Sequence, residues 1–270
     1  MTSLKTNLKN FDFVLKDPDR RLGLVILATD HVLEDEFRLI FSKCPSISLF
    51  SNRIRNETTI NHKTLNDMAN RLEDTVSDIL PGMPMDAIAY ACTSASLVIG
   101  YVSRKIMNDI VLLWTFYRPS RITEICQKAK PNVKVTNPLT AAIAAIKKLN
   151  VHELGLVTPY REELNNQLAQ HFEKEGIKVT AMVSFNNEDD NIVGRISCES
   201  IEKACQQIGS SQVDGVFVSC TNMRILEKIH NLEETLGIPV TSSNHAMAWH
   251  LLQLVDMTVS NENWGTLFRN

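Results

Sequence analysis

Two segments of the chain repeat one another, and that repetition constrains the fold more than any single motif. Asp86–Ser94 reads DAIAYACTS and Asp214–Asn222 reads DGVFVSCTN. Each is an aspartate, a short apolar run, a small residue, then Cys-Thr and a small polar residue, and the two cysteines stand 128 positions apart. A second pair, Leu22–Val25 and Leu154–Val157, reads LGLV both times at an offset of 132, and each copy leads into a polar loop and a predicted helix. A period this long implies that one α/β unit occurs twice.

The pattern between the repeats agrees. Short β-branched apolar runs alternate with longer amphipathic stretches, as in βα units on a mainly parallel sheet. Strands are predicted at Leu22–Ala28, Ser46–Phe50, Ala87–Ala91, Val133–Val135, Leu154–Val157, Val179–Ser184, Gly215–Ser219 and Pro239–Thr241. Helices are predicted at 33–43, 62–79, 138–149, 161–175, 199–208, 223–236 and 244–255. Asn137 followed by Pro138 reads as a cap with proline in the first turn. The polar run NNEDDN, Asn186–Asn191, reads as a solvated loop without a function.

Composition then removes whole classes of function. With 44% hydrophobic and 22% charged residues the chain is an ordinary globular one, and its net charge of -3 provides no basic field for nucleic acid. The first twenty residues lack the unbroken apolar stretch of an export signal, and the longest such stretch, Ile110–Tyr117, is far short of the roughly 20 residues that span a bilayer. The expectation is a cytoplasmic protein without a membrane partner. Six cysteines without CxxC spacing imply free thiols. No HExxH, GxGxxG or Walker loop occurs, so neither a metal nor a nucleotide cofactor is expected.

In open α/β sheets ligands bind beyond the carboxyl ends of the strands, where Cys92 and Cys220 are predicted to lie. At the start of a following helix, free N–H groups and the macrodipole would lower a thiol pKa from about 8.5. The same N–H groups, with the hydroxyls of Thr93, Ser94 and Thr221 and the amide of Asn222, suit a substrate carboxylate. Two halves facing each other would place the thiols on opposite sides of one ligand. Thr93, Ser94 and Thr221 also suit plain helix caps, and Cys44, Cys126, Cys198 and Cys205 read as small apolar residues.

The ACTS and SCTN segments resemble the two cysteine motifs of the aspartate/glutamate racemase superfamily. LATDHVLEDEF (27–37), DAIAYACTSASLVIG (86–100), VTPY (157–160) and SSNHAMAWHLL (242–252) are most similar to the branch of maleate cis-trans isomerases, arylmalonate decarboxylases and the ectoine-utilisation protein EutA, with EutA the closest likeness. The resemblance implies two flavodoxin-like parallel-sheet halves related by a pseudo-two-fold axis, with the active site in the cleft between them. Residues 1–136 plus 242–270 would form one half and 137–241 the other. It implies Cys92 and Cys220 as the acid/base or nucleophile pair, and it places Tyr160 at the substrate, with Asp30 a candidate of equal weight and Asn137, Asn244 and His245 weaker ones. Decarboxylases of the branch lack the first-half cysteine, which this chain keeps. Asp30 stands where maleate isomerases and decarboxylases often carry asparagine, and it would repel a second substrate carboxylate. Asn222 departs from the racemases' Cys-Thr-His. The implied function is cofactor-independent racemisation or isomerisation of a small carboxylate, an amino or N-acyl-amino acid in ectoine catabolism being one form. Maleate isomerisation, arylmalonate-type decarboxylation and non-catalytic binding of a small ligand are the alternatives. Self-association is left open.

Overall fold

The computed structural model describes residues 12–58, 62–97 and 120–269. The Ile110–Tyr117 stretch, and with it residues 98–100 of the first cysteine segment and most of the first twenty residues, lies outside them. Two four-stranded parallel sheets form the frame. The first holds β1 (Arg20–Leu27), β2 (Ile47–Ile54), β3 (Ala87–Ala91) and β4 (Lys134–Thr136) in the order β2-β1-β3-β4. The second holds β5 (Glu153–Thr158), β6 (Lys178–Ser184), β7 (Gly215–Val218) and β8 (Val240–Ser242) in the order β6-β5-β7-β8. The orders are the same once the second is counted from its own first strand, so the sequence repeat is a structural repeat and the expected α/β class holds.

The repeated residues explain why. Leu22, Leu24 and Ile26 on β1 and Leu154 and Leu156 on β5 are buried, because helices cover both faces of a parallel sheet and its central strands must be apolar throughout. Each LGLV glycine lies against a neighbouring side chain. A Cβ on Gly23 would meet Ile88 at 2.7 Å, and one on Gly155 would meet Ile208 at 3.2 Å. Each repeat aspartate closes the start of its sheet. The Asp86 carboxylate accepts the Arg21 N–H at 2.8 Å, and Asp214 accepts those of His152 and Glu153 at 3.0 and 2.8 Å.

The helices are α1 (Leu33–Phe41), α2 (His62–Ser77), α3 beginning at residue 93, α4 (Arg121–Ala129), α5 (Pro138–Lys148), α6 (Glu162–Lys174), α7 (Asp190–Val193), α8 (Cys198–Gly209), α9 (Ile229–Leu236) and α10 (Ser243–Leu254). Asn137 caps α5 as expected, its Oδ1 accepting from the N–H groups of Leu139 and Thr140 at 3.0 Å each. Three expectations need correction. The helix predicted at 223–236 begins late, as a 3₁₀ turn at Leu226–Lys228 leading into α9. Helix α4, capped by Ser120, had not been expected. The NNEDDN run is no simple solvated loop: the Asp189 side chain caps α7, and Asp190 is buried.

Two helices cross between the sheets. After β4 the chain enters α5, which touches β8 of the second sheet; after β8 it enters α10, which packs on α5, α1, β3 and β4. The core runs without a break through both sheets and includes Tyr90, Phe37, Phe172 and Phe217. No helix among the described residues is long and apolar enough to cross a membrane.

Candidate active site

Cys92 follows β3 and Cys220 follows β7 at equivalent places in the two sheets, and both thiols are buried. The Cys92 Sγ accepts the Ala95 N–H at 3.4 Å and lies 3.6 Å from the Ser94 hydroxyl. This is the helix-start position expected from the sequence, since residues 93–97 are helical. Cys220 differs. Its Sγ accepts the Asn222 N–H at 3.4 Å, but the chain forms a turn there and no helix starts until Leu226.

One side chain stands near both cysteine loops. Tyr160, in the loop between β5 and α6, is buried, and its hydroxyl lies close enough to Cys220 to favour the thiolate there. Tyr160 is held in turn by its own carbonyl, which accepts from Asn165 Nδ2 at 2.8 Å and from the Ser184 hydroxyl. Thr93 also lies 3.2 Å from the Ser243 hydroxyl at the start of α10. Thr93, Ser94, Leu97, Tyr160, Leu164 and Leu168 line a narrow cleft with one wall from each half.

The expected lowering of the thiol pKa is overturned. Burial pushes the Cys92 thiol up to about 12, and the nearby carboxylates of Asp190 and Asp30 add to the effect against the hydrogen bonds from Ser94 and Ala95. Cys220 is pushed up by the same causes, opposed by the Asn222 N–H and the Tyr160 hydroxyl. Desolvation of a buried thiolate outweighs one or two N–H donors. Burial also raises Cys126 and Cys205 to about 12 and Cys198 to about 11. The motif cysteines are therefore not the most acidic thiols of the described arrangement.

Asp30 is buried at the foot of the same site. Its Oδ1 accepts the N–H groups of Val32 and Leu33 at 2.8 Å each, which anchors the start of α1. Its Oδ2 has no partner at hydrogen-bonding geometry, although the Thr221 side chain favours the charged form. Burial raises this carboxyl. Asp190, which sequence reasoning left in a solvated loop, stands nearby. Its Oδ2 accepts from the Thr29 hydroxyl at 2.8 Å and from Asn56 Nδ2 at 3.2 Å, while burial, with Asp30 adding to it, lifts its carboxyl to about 6.

The remaining candidates also hold the frame. The Asn222 side chain accepts the His31 N–H at 2.8 Å and donates to the carbonyls of Asp190 at 2.8 Å and Thr29 at 3.3 Å, so its amide is committed to these loops. Asn137 is taken up in capping α5. Asn244 donates to Glu36 Oε2 at 2.7 Å and to the Thr221 carbonyl at 2.8 Å, and Glu36 Oε1 accepts the N–H groups of Ile225 and Leu226 at 2.9 Å each. Glu36 is thus a buried carboxylate of the first half bound to backbone of the second. His245 is buried, bonded to Thr241 at 3.0 Å and packed on Phe268; burial holds it neutral, its pKa pushed down to about 3. Among the described residues no group of three or more His, Cys, Asp or Glu is placed to hold a metal ion.

This geometry has relatives. A maleate isomerase of Nocardia farcinica is 27% identical over 253 residues, 93% of this chain and 96% of that one. An arylmalonate decarboxylase of Bordetella bronchiseptica is 24% identical over 145 residues, 52% of this chain and 60% of that one. Among solved structures, a cysteine variant of the Nocardia farcinica maleate cis-trans isomerase with a covalently bound succinylcysteine intermediate superposes with a TM-score of 0.78 at 25% identity, covering 93% of this chain and 98% of that one. These matches bear out the expected branch and an enzyme of the isomerase kind; the likeness to EutA stays one of motifs. The model of the arylmalonate decarboxylase family matches residues 115–268, more than half of the sequence. The chain belongs to the arylmalonate decarboxylase family.

Proposed function

We propose that this protein is a cofactor-independent isomerase of a small carboxylic acid, with Cys92 and Cys220 as its two reacting thiols. The observation that carries the reading is the cleft in which Thr93 and Ser94, next to Cys92 of one half, meet Tyr160 of the other half. Tyr160 also stands near Cys220, which supports a site shared by both cysteine loops. Thr93 and Ser94, at the start of α3, would hold the substrate carboxylate, and Tyr160 and Thr221 would border it.

In this reading one cysteine acts as a thiolate on one face of the substrate and the other as a thiol on the opposite face. With an unsaturated acid, the thiolate forms a C–S bond, the electron pair of the double bond moves toward the carboxylate, and the second thiol gives the carbon its proton. Rotation and the reverse steps release the other geometric isomer. The names of the maleate isomerase relatives favour this course, and a succinylcysteine adduct is what it would leave on a relative's cysteine. A second course, racemisation, has the thiolate remove an α-proton while the opposite thiol returns one. It draws support from Asp30, whose carboxylate opposes a second negative charge on the substrate. Both courses need both thiols, and this chain keeps both, which weighs against arylmalonate-type decarboxylation.

The test is a panel of unsaturated and α-amino acids incubated in deuterated water, with geometric isomers, enantiomers and deuterium followed by NMR and chiral chromatography. Cys92→Ala and Cys220→Ala should each lower interconversion by about a thousandfold or more. Full activity of the doubly substituted variant on any acid that the wild type converts would end the two-thiol reading.

A further inference from the structure

Two adjacent side chains at the start of α10 reach the two cysteine motifs, one each. The Ser243 hydroxyl lies 3.2 Å from that of Thr93, the residue after Cys92, and Asn244 Nδ2 donates to the carbonyl of Thr221, the residue after Cys220, at 2.8 Å. All four of these residues are buried. Capping does not account for either contact, because the cap of α10 is Ser242, whose hydroxyl accepts the His245 N–H at 3.2 Å. The polar groups of Ser243 and Asn244 are spent on the cysteine loops instead. Glu36 on α1 sets the direction of the amide. Its Oε1 accepts the N–H groups of Ile225 and Leu226 at 2.9 Å each, and its Oε2 accepts from Asn244 Nδ2 at 2.7 Å. A charged carboxylate only accepts, so one N–H of the amide turns to Glu36 and the other is left for the Thr221 carbonyl. The helix that carries both residues packs on α1, α5, β3 and β4.

We infer that Ser243 and Asn244 are positioning residues that hold the Cys92 and Cys220 loops at one fixed separation, with Glu36 orienting Asn244. This rests on the two-thiol reading and adds what keeps the thiols in place. Cys92 follows a strand of one sheet and Cys220 a strand of the other, so each loop is anchored first on its own sheet. Consecutive residues of a helix have fixed relative positions, and bonding the two loops to such a pair refers both thiols to one point. Thiols that act on opposite faces of one small acid need this, since a misplacement on the order of 1 Å can cost about a hundredfold in rate. Loss of either contact should free one loop and leave the other held. Loss of a general support of the fold would loosen every buried thiol alike.

The experiment compares Ser243→Ala and Asn244→Ala with the wild type by the rate at which iodoacetamide labels each cysteine, mapped by peptide mass spectrometry. Cys126 on α4 and Cys205 on α8, both buried, are the internal controls. Ser243→Ala should raise labelling of Cys92 about three- to tenfold, the equilibrium effect of one lost hydrogen bond, and leave Cys220 and the controls unchanged. Asn244→Ala should do the same for Cys220 and leave Cys92 and the controls unchanged, and Glu36→Gln should follow it in direction. With an acid that the wild type converts, Ser243→Ala and Asn244→Ala should each lower kcat about tenfold or more while KM changes by less than about threefold. Equal rises at all buried cysteines, or no rise at either motif cysteine, overturn the inference. If Asn244→Ala does not fold, Ser243→Ala, which removes one hydroxyl, decides by the same criteria. If the two thiols respond separately while no acid of the panel is converted, the positioning role stands and the isomerase reading fails. If an acid is converted through both cysteines and neither labelling nor kcat responds, the isomerase reading stands and the positioning role fails.

Discussion

Asn222 donates its side-chain amide to the backbone carbonyl of Asp190 at 2.8 Å. The same side chain accepts the His31 N–H, so a single residue following Cys220 sets the loop after β1 and the start of α7 together. Gly194 makes room for this. A Cβ there would meet Asn222 Oδ1 at 2.7 Å and the His31 ring at 2.9 Å.

Substituting Asn222→Ala should leave the His31 N–H and the buried Asp190 carbonyl without this partner and lower stability by about 1–3 kcal/mol. Gly194→Ala should weaken activity more than stability, because it displaces the loop that carries Asp190 while leaving the core intact. Urea denaturation and steady-state kinetics on the same samples separate the two. A Gly194→Ala protein with wild-type kinetics would show that the loop tolerates the shift.

Tyr160→Phe should lower kcat/KM by about 10- to 100-fold, the cost of one hydrogen bond to a charged acceptor. The Tyr160 hydroxyl favours the Cys220 thiolate, and its removal raises that thiol further. Because Cys92 lies at about 12 and Cys220 is also raised, both proteins should gain activity with rising pH across about pH 7–9. The profile of the variant should run parallel and lower. A profile that coincides with the wild type would remove Tyr160 from the chemistry.

Alkylation with iodoacetamide, mapped by peptide mass spectrometry, should reach Cys198 first. Cys198 is only half-buried and lies at about 11, whereas Cys92 is buried and lies at about 12. Cys220 is buried too and should also lag. Labelling of Cys92 or Cys220 ahead of Cys198 would mean that the helix-start effect outweighs burial in the free protein.

Asp190 makes stability depend on pH in a direction opposite to that of a salt-bridged carboxylate. Its pKa is about 6 in the fold against 3.8 when exposed, so between these values the folded protein holds more protons than the unfolded chain. Stability from this residue is full below about pH 4 and falls as pH rises to about 6. Asp30 and Glu36, also raised, act in the same direction. Asp190→Asn should therefore match the wild type near pH 4 and exceed it by up to about 3 kcal/mol at pH 7, read from urea midpoints. A constant difference across that range would contradict the burial effect.

Much of this architecture is legible in the residues. The eight strands are visible because each is a short apolar run bounded by turn residues, and the duplicated Asp86 and Asp214 mark where two of them begin. The place of Cys92 at a helix start is legible for the same reason. What the residues do not display is the contact that gives them a role. Asp190 sits in a run of polar residues and reads as solvated, and it is buried because Thr29 and Asn56, 161 and 134 positions earlier, come to it. The thiol pKa fails likewise. A helix start is a local feature that sequence displays, whereas desolvation depends on the whole enclosure. The amide of Asn222 suits a carboxylate by its chemistry, and only the fold shows that it also bonds the Asp190 carbonyl and the His31 N–H.

The crossing of α5 and α10 has a consequence for how this chain can be divided. Each of these helices continues from one sheet and leans on the other, so the halves exchange arms as two partners in a domain-swapped dimer do. A chain cut in the turn at Leu149–Asn150 would produce an amino-terminal piece lacking the α10 cover of β3 and β4, and a carboxy-terminal piece lacking the α5 that touches β8. Each piece would carry one cysteine loop and an uncovered apolar face. The two should fold only on meeting, each lending the other a helix, and the complete thiol pair would exist only in their complex.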